Sequence, residues 1–288
     1  MVKAKDLPDG IRCLMGKHDG PIVVLLAKTH GDELAGGAVV ETVLASLPSI
    51  ERGKLYIGIG NPLAARENKR FIDTDLNRSY GKSPPKGYEG ARANVLKPLL
   101  EHADYLFDIH SFRKPAPPIV CYPGEDFSTL EKLAIHLPIE TIVYGPGLWP
   151  ADRDHIYADT FVCAKGGFGI TVESGYLHDM TAVQGVVDGL HEILQLLLGT
   201  SGASVLGQVT HLKTYFRAVE NVVAAKGFTF SKDWQNFETV PAGTCYATAD
   251  ERKYIAKRDM CMLFPKAPAS IVEGNEVCIL MEKQFQKQ

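Results

Sequence analysis

The 288-residue chain contains no apolar run near the roughly 20 residues that a membrane-spanning helix requires. Its opening, MVKAKDLPDG, is charged and carries proline where a secretory signal would place an apolar stretch. These absences predict a soluble, cytoplasmic protein. An excess of one charge is missing too, with 31 lysines and arginines against 34 aspartates and glutamates. That balance leaves no electrostatic footprint for nucleic acid and no polybasic patch for a membrane surface, so it points to a small-molecule partner. The six cysteines (Cys13, Cys121, Cys163, Cys245, Cys261, Cys278) never fall at C-x-x-C spacing, and several sit inside apolar runs. Buried free thiols fit that distribution better than disulfides or thiolate metal ligands. No internal repeat or low-complexity tract is visible, and a homo-oligomer stays compatible with the pattern.

Apolar residues make up 45% of the chain, ample for two cores, and the length predicts one large domain with a smaller second one. Short β-rich runs bounded by turn residues recur as IRCLMG, PIVVLLA, LYIGIG, YLFDIH, IVCYP, TIVYG and FGITVES. The first two, joined by KHDG, read as a hairpin, and PIVVLLA, apolar on both faces, reads as a central strand. Helical patterns lie between the strands. ELAGGAVVETVLASL places Leu34, Ala38, Val43 and Leu47 on one side, and ARANVLKPLLEHA brings Leu96, Leu99, Leu100 and Ala103 together. DFSTLEKLAIHL is similar, and the clearest helix runs from Met180 to Leu198 before a terminating Gly199. Strands alternating with helices predict an α/β fold with a mainly parallel sheet covered on both faces. From about Val205 the chain turns to short β-like segments and glycine turns, which predicts a boundary between residues 1–204 and 205–288.

The stretch KTHGDELAGG follows the central strand with a histidine, a glycine and two acids. His30 and Glu33 stand three apart at the strand-to-helix junction, where both can face the crevice beyond the strand's carboxyl end. That spacing suits two ligands of one metal, although a turn followed by an acid in the first helical turn has the same composition. A second histidine, His110, closes YLFDIH at another predicted carboxyl end. Two histidines and a glutamate, with a fourth position left to water, form a ligand set expected of a catalytic zinc. The polar segment NPLAARENKRFIDTDLNRSYG then delivers Arg70, Asp75, Asn77 and Arg78 with little apolar periodicity.

Taken together, H-x-x-E, N-P-x-A with K-R-F-I-D-x-D-L-N-R, D-I-H and E-S-G resemble the succinylglutamate desuccinylase and aspartoacylase family, which is related to the zinc carboxypeptidases. The motifs span about residues 21 to 175, and the late MLFPK and VEGNEV resemble that family's C-terminal domain. The resemblance implies a zinc-carboxypeptidase-like α/β/α sandwich for residues 1–204, with a mixed, mainly parallel sheet. Residues 205–288 would form a smaller β-rich domain covering the active site. His30, Glu33 and His110 would hold one Zn²⁺ per chain, whose charge lowers the pKa of a water in the fourth position toward about 7. Glu173 matches the catalytic glutamate, which takes the water's proton and passes it to the leaving amine. Arg70 matches the arginine over the scissile carbonyl, and Asn77 with Arg78 matches the pair that grips an α-carboxylate. Asp75 falls where a carboxylate orients a ligand histidine through its second ring nitrogen.

The activity so implied is hydrolysis of the amide bond of a small N-acyl amino acid. Two rivals share these residues: a zinc carboxypeptidase acting on peptides or cell-wall fragments, and a metal- or ligand-binding relative without catalysis. Asp73 and Lys69 read as surface residues, His102 and His191 fall within helical patterns, and His18, His136, His155, His178 and His211 lack a partner at useful spacing. Arg153, His155, Tyr157 and Tyr254 are the candidates for further substrate contacts.

Overall fold

The computed structural model describes residues 7–47, 49–150, 156–177, 179–200, 212–250 and 252–284. The chain begins with strands β1 (Ile11–Met15) and β2 (His18–Ala27), helix α1 (Leu34–Ser46), strand β3 (Arg52–Ile59) and the short helix α2 (Pro62–Arg66). Helix α3 (Tyr88–Leu100), strands β4 (Tyr105–Phe112) and β5 (Ile119–Tyr122), helix α4 (Phe127–Ala134) and strand β6 (Thr141–Tyr144) follow. Helix α5 (Ala158–Ala164), strand β7 (Phe168–Tyr176) and helix α6 (Val183–Leu198) complete the alternation.

Five successive residues of β2, Val23 to Ala27, are buried, so both edges and both faces of that strand must be covered. Strands β3 and β4 pair with it in parallel, and β7 extends the parallel set beyond β4. Alternate side chains serve opposite layers, as strand geometry demands. Val23, Leu25 and Ala27 pack with Val39, Val43, Leu190 and Leu194 of α1 and α6, whereas Val24 and Leu26 pack with Leu96, Leu100 and Val162 of α3 and α5. The mixed sheet, with helices on both faces, is the α/β architecture expected from the alternation of strand and helix patterns.

Two local expectations are corrected. β1 does not form a hairpin with β2; it pairs antiparallel with β3, from Ile11 opposite Gly58 to Met15 opposite Lys54. β3 carries four successive buried residues, Leu55 to Gly58, whereas β1 is only partly buried, so the more apolar strand takes the place beside β2 and β1 becomes the edge. The buried face of α1 is Ala35, Gly36, Val39, Val40 and Val43, with Leu34 left 44% exposed, so the helix is rotated from the expected stripe. Gly36 accounts for this: a Cβ there would lie 2.8 Å from the Ile109 carbonyl oxygen, so the glycine face is the one that can seat against β4. The other helical stripes agree with their periodicity, and α6 ends at Gly199 in the left-handed conformation, φ 65°.

The later strands are β8 (Thr214–Val223), β9 (Thr229–Phe230), β10 (Thr239–Val240), β11 (Cys245–Ala249), β12 (Arg252–Ile255), β13 (Met260–Leu263) and β14 (Glu276–Gln284). β8 joins β6 in parallel and β14 pairs with β8, so one eleven-stranded sheet runs from β1 to β10. β9, β11 and β12 form a separate three-stranded sheet over a second core of Phe228, Trp234, Tyr246 and Tyr254. The expected boundary at residue 204/205 lies outside the described residues. Among the described residues no helix is long and apolar enough to cross a membrane.

Candidate metal centre and active site

Three parallel strands end together. Ala27 of β2 pairs with both Ile59 of β3 and Ile109 of β4, and His110 of β4 pairs with Glu173 of β7. Beyond Ala27 the chain leaves the sheet at Lys28, a non-glycine residue held at φ 51°. Backbone bonds from Gly60 N to Ala27 O and from Asn61 N to Lys28 O tie that exit to the end of β3. Gly31 lets the loop press against α2, because a Cβ there would stand 2.1 Å from the Ala64 carbonyl carbon. On the same loop Gly31 N donates to Arg70 O at 3.2 Å, joining the H-x-x-E segment to the polar segment.

The loop and the strand end bring His30, Glu33 and His110 together, each almost fully buried, with one ligand atom from each within 4.8 Å of the others. His30 Nδ1 lies 2.7 Å from Glu33 Oε1, and His110 Nδ1 lies 3.1 Å from Glu33 Oε2. The far nitrogens are occupied as well: His30 Nε2 is 3.0 Å from Asp75 Oδ1, and His110 Nε2 is 3.0 Å from Asp108 Oδ2. A neutral imidazole has one N–H, and a carboxylate can only accept. If each Nε2–H serves its aspartate, both Nδ1 lone pairs face the Glu33 carboxylate, an arrangement of acceptors that only a proton or a cation can reconcile. Burial opposes the imidazolium form, but Asp75 and Glu33 raise the pKa of His30, and Asp108 with Glu33 raises that of His110 well above its ordinary value. The donor set therefore fits a divalent cation of the zinc type, with imidazole and carboxylate ligands oriented by carboxylates behind them.

Asp108 escaped the sequence reading, although the D-I-H spacing carries the signal, since residues two apart on a strand share a face. Thr29 Oγ1 donates to Asp108 Oδ1 at 3.0 Å and so holds that carboxylate in turn. Glu33 also accepts from Ser111 N at 3.2 Å. Around these groups stand the remaining sequence candidates. Arg70 Nη2 donates to Asp75 Oδ2 at 3.1 Å, and its Nη1 is 3.8 Å from Glu33 Oε1, so the guanidinium borders the cluster. Glu173 is 9% exposed, and its Oε2 has no hydrogen-bond partner among the described residues. Burial, with Glu33 adding to it against the opposing pull of His110, pushes the Glu173 carboxyl up to about 7.

Asn77 and Arg78 sit in the 3₁₀ turn Leu76–Arg78, which Asp75 caps by accepting Asn77 N at 2.9 Å. Asn77 Oδ1 accepts Ala158 N at 3.0 Å, which turns its amide nitrogen toward other partners. The Arg78 guanidinium lies 4.2 Å over the Tyr157 ring, and its Nη2 is 3.6 Å from Glu276 Oε2. Tyr157 O–H donates to Glu276, and Asn221 Nδ2 donates to Glu276 Oε1 at 2.9 Å. Glu276, which lies in the VEGNEV stretch but had no role assigned from sequence, reaches Arg78 from the start of β14. Tyr254 lies elsewhere, packed against Phe228 and Tyr246. Lys69 is paired with Glu67 on the surface, and Asp73 is exposed but accepts Tyr88 N at 2.7 Å. Arg153, His155, His178 and His211 lie outside the described residues.

Residues 19–139, which include His30, Glu33, Arg70, Asp75, Asn77, Arg78, Asp108 and His110 but not Glu173, match the family model for the succinylglutamate desuccinylase/aspartoacylase catalytic domain. The succinylglutamate desuccinylase of Shewanella woodyi is 24% identical over 90% of this chain and 82% of its own length. A probable aspartoacylase of Acaryochloris marina is 34% identical over 31% of this chain and 34% of its own length, so that local match covers about a third of the relative. The solved structure of a succinylglutamate desuccinylase from Vibrio parahaemolyticus superposes with a TM-score of 0.78 at 15% identity, over 96% of this chain and 88% of that one, and shares its fold. A segment of the chain thus matches the catalytic domain of the succinylglutamate desuccinylase/aspartoacylase family, and along most of its length the chain is similar to succinylglutamate desuccinylases in sequence and in fold.

Proposed function

We propose that the protein is a zinc-dependent hydrolase that cleaves the amide bond of a small N-acyl amino acid, releasing a carboxylate and a free amino acid. The observation that carries this reading is the convergence of Nδ1 of His30, Nδ1 of His110 and the Glu33 carboxylate beside a second carboxylate, Glu173, that has an oxygen to spare. His30, Glu33 and His110 would hold the zinc ion, which, when bound, acidifies a water and polarises a carbonyl. Glu173 receives the proton of the attacking water and delivers it to the amine nitrogen as the C–N bond breaks. A carboxyl held near 7 is suited to both transfers at neutral pH. Arg70, steadied by Asp75, directs its guanidinium at the oxygen on which negative charge develops.

Arg78 and Asn77 take the substrate's α-carboxylate, the arginine with its planar fork and the asparagine with the amide nitrogen that Ala158 leaves unused. In this reading residues 205–288 are the domain that limits what can enter, and Glu276 at the start of β14 is its contact with the clamp. A recess closed from that side suits small acyl amino acids better than peptides. The deciding experiment is release of amino acid from a panel of N-acyl amino acids and from peptides, with added zinc and with a chelator. Chelator-sensitive release from the acyl amino acids alone is the expected result. Release from peptides only would favour a carboxypeptidase, and no release from either would leave a binding protein.

A further inference from the structure

Arg70, Asp75, Asn77 and Arg78 all stand on one irregular segment, since the chain from the end of α2 at Arg66 to the turn at Leu76 contains neither helix nor strand. Such a segment has no ladder to satisfy its backbone N–H groups, and its shape depends on where those groups find acceptors. Three successive ones find them in a single carboxylate. Glu89 Oε1 accepts from Ile72 N at 2.7 Å, and Glu89 Oε2 accepts from Asp73 N at 3.0 Å and from Thr74 N at 3.2 Å. A fourth bond comes from Asn61 Nδ2 to Glu89 Oε1 at 3.1 Å, and Asn61 also caps α2. Glu89 has no exposed surface.

The tie runs in both directions. Asp73 Oδ2 accepts Tyr88 N at 2.7 Å, so the loop caps the first turn of α3 while Glu89 in that turn caps the loop. An acid is favourable at a helix N-terminus, and hydrogen bonds to an ionised acceptor are about twice as strong as neutral ones. α3 is itself immobilised by Leu96, Leu99 and Leu100 in the core. Its rigidity therefore reaches the loop through the Glu89 carboxylate, which holds three of the loop's N–H groups, and through the Tyr88 N–H that Asp73 accepts. The far side of the loop is joined to the metal-ligand segment by the bond from Gly31 N to Arg70 O.

We propose that Glu89 is a positioning residue for both halves of the site, setting His30 through Asp75 and the carboxylate clamp through Asn77 and Arg78. It contacts neither metal nor substrate. The consequence is a correlated loss that no single clamp or ligand residue would produce. Only the activity readout of this proposal rests on the deacylase reading; the metal and exchange readouts stand without it.

The test is Glu89→Gln, which keeps the shape but turns an N–H donor toward backbone N–H groups. Zinc affinity by calorimetric titration should weaken about 10- to 100-fold, the range typical of groups that orient metal ligands. Amide exchange at Ile72, Asp73 and Thr74 should accelerate at least tenfold relative to the rest of the chain. The preference for N-acyl amino acids with a free carboxylate over their amide-capped forms should shrink toward unity. Leu190→Ala, a core variant on α6 that lowers Tm, should leave all three readouts in place. If Glu89→Gln does not fold, Glu89→Asp, which keeps the charge and shortens the reach, carries the same measurements. Normal zinc affinity, slow exchange at the three amides and an intact preference would overturn the proposal, as would equal losses in Leu190→Ala. Should the unmodified protein release no amino acid from any N-acyl substrate, the deacylase reading falls, and the titration and exchange data still decide the role of Glu89.

Discussion

Each histidine of the candidate metal centre is fixed from behind by its own aspartate, Asp75 for His30 and Asp108 for His110, and the two arrangements differ in how the aspartate arrives. Asp108 is two residues from His110 on a rigid strand, whereas Asp75 comes from a loop. Removing a group that orients a metal-bound histidine typically costs 10- to 100-fold in affinity, so Asp108→Ala should bind zinc about that much more weakly while folding normally. His110→Ala should lose both bound zinc and activity, as measured by metal analysis of the purified variant beside its turnover. A substitution at Glu173 would separate the proposed proton-transfer role from the ligand role. Glu173→Gln should reduce kcat by roughly 10²-fold or more with zinc content unchanged, because shape is kept and the proton acceptor is gone. Near-normal turnover in that variant would assign the proton to another group.

At the scale of elements, the site depends on how closely the loop after β2 approaches α2. In Gly31→Ala the new Cβ would meet Ala64 and Ala65 backbone atoms at 2.1 and 2.3 Å, and backbone cannot yield as a side-chain tip can. The loop must move, taking His30 and Glu33 with it, and displacement of about 1 Å at a catalytic group can cost 10²-fold in rate. A fall of that order in kcat/KM with retained secondary structure by circular dichroism is expected. The proposed clamp of Asn77 and Arg78 gives a second prediction. An amide cap on the substrate's carboxylate should cost much of kcat/KM, and Arg78→Lys should not restore discrimination, because lysine keeps the charge without two parallel donors or the planar stack on Tyr157. Equal cleavage of free and capped substrates by the unmodified protein would remove the clamp.

At the scale of the whole molecule, buried charge makes stability depend on pH. Asp159 in α5 accepts from Thr171 Oγ1 at 2.9 Å and from Thr160 N, yet burial pushes its carboxyl up to about 6. In the unfolded chain the same group titrates near 4. Between these values the folded state binds the proton more tightly, so the protonated group favours folding at low pH and that advantage is lost as pH rises through about 4 to 6. At 1.36 kcal/mol per unit the full effect is roughly 2–3 kcal/mol. Asp159→Asn should therefore gain stability relative to the unmodified protein between pH 4 and 7, read from denaturant unfolding at both values. A constant difference would show that the carboxyl is ionised in the fold throughout. Zinc held at the candidate site would add a separate dependence, since a ligand that binds only the folded state raises Tm and a chelator should lower it.

The alternation of strand and helix patterns was enough to predict the α/β class, because burial periodicity is a local property that survives any choice of partner. His30, Glu33 and His110 could be named as one constellation because strand ends are visible along the chain, and the family resemblance implied that Asp75 stands behind a ligand histidine. Partner choice was not visible. β1 lies beside β3 rather than β2 because the relative burial of three strands decides the order, and no two of them contain that comparison. The same limit hid the contacts of Glu276, which bonds Tyr157 across 119 residues and faces Arg78, and the role of Glu89, whose carboxylate reads in sequence as an ordinary acid in a first helical turn. Sequence by itself singled out His30, Glu33 and His110 as side chains suited to a metal, and the resemblance it carries pointed to Glu173 for proton transfer. Only the tertiary structure decided which acids stand behind them, because the field at a buried group is set by charges that distant segments bring within a few ångströms.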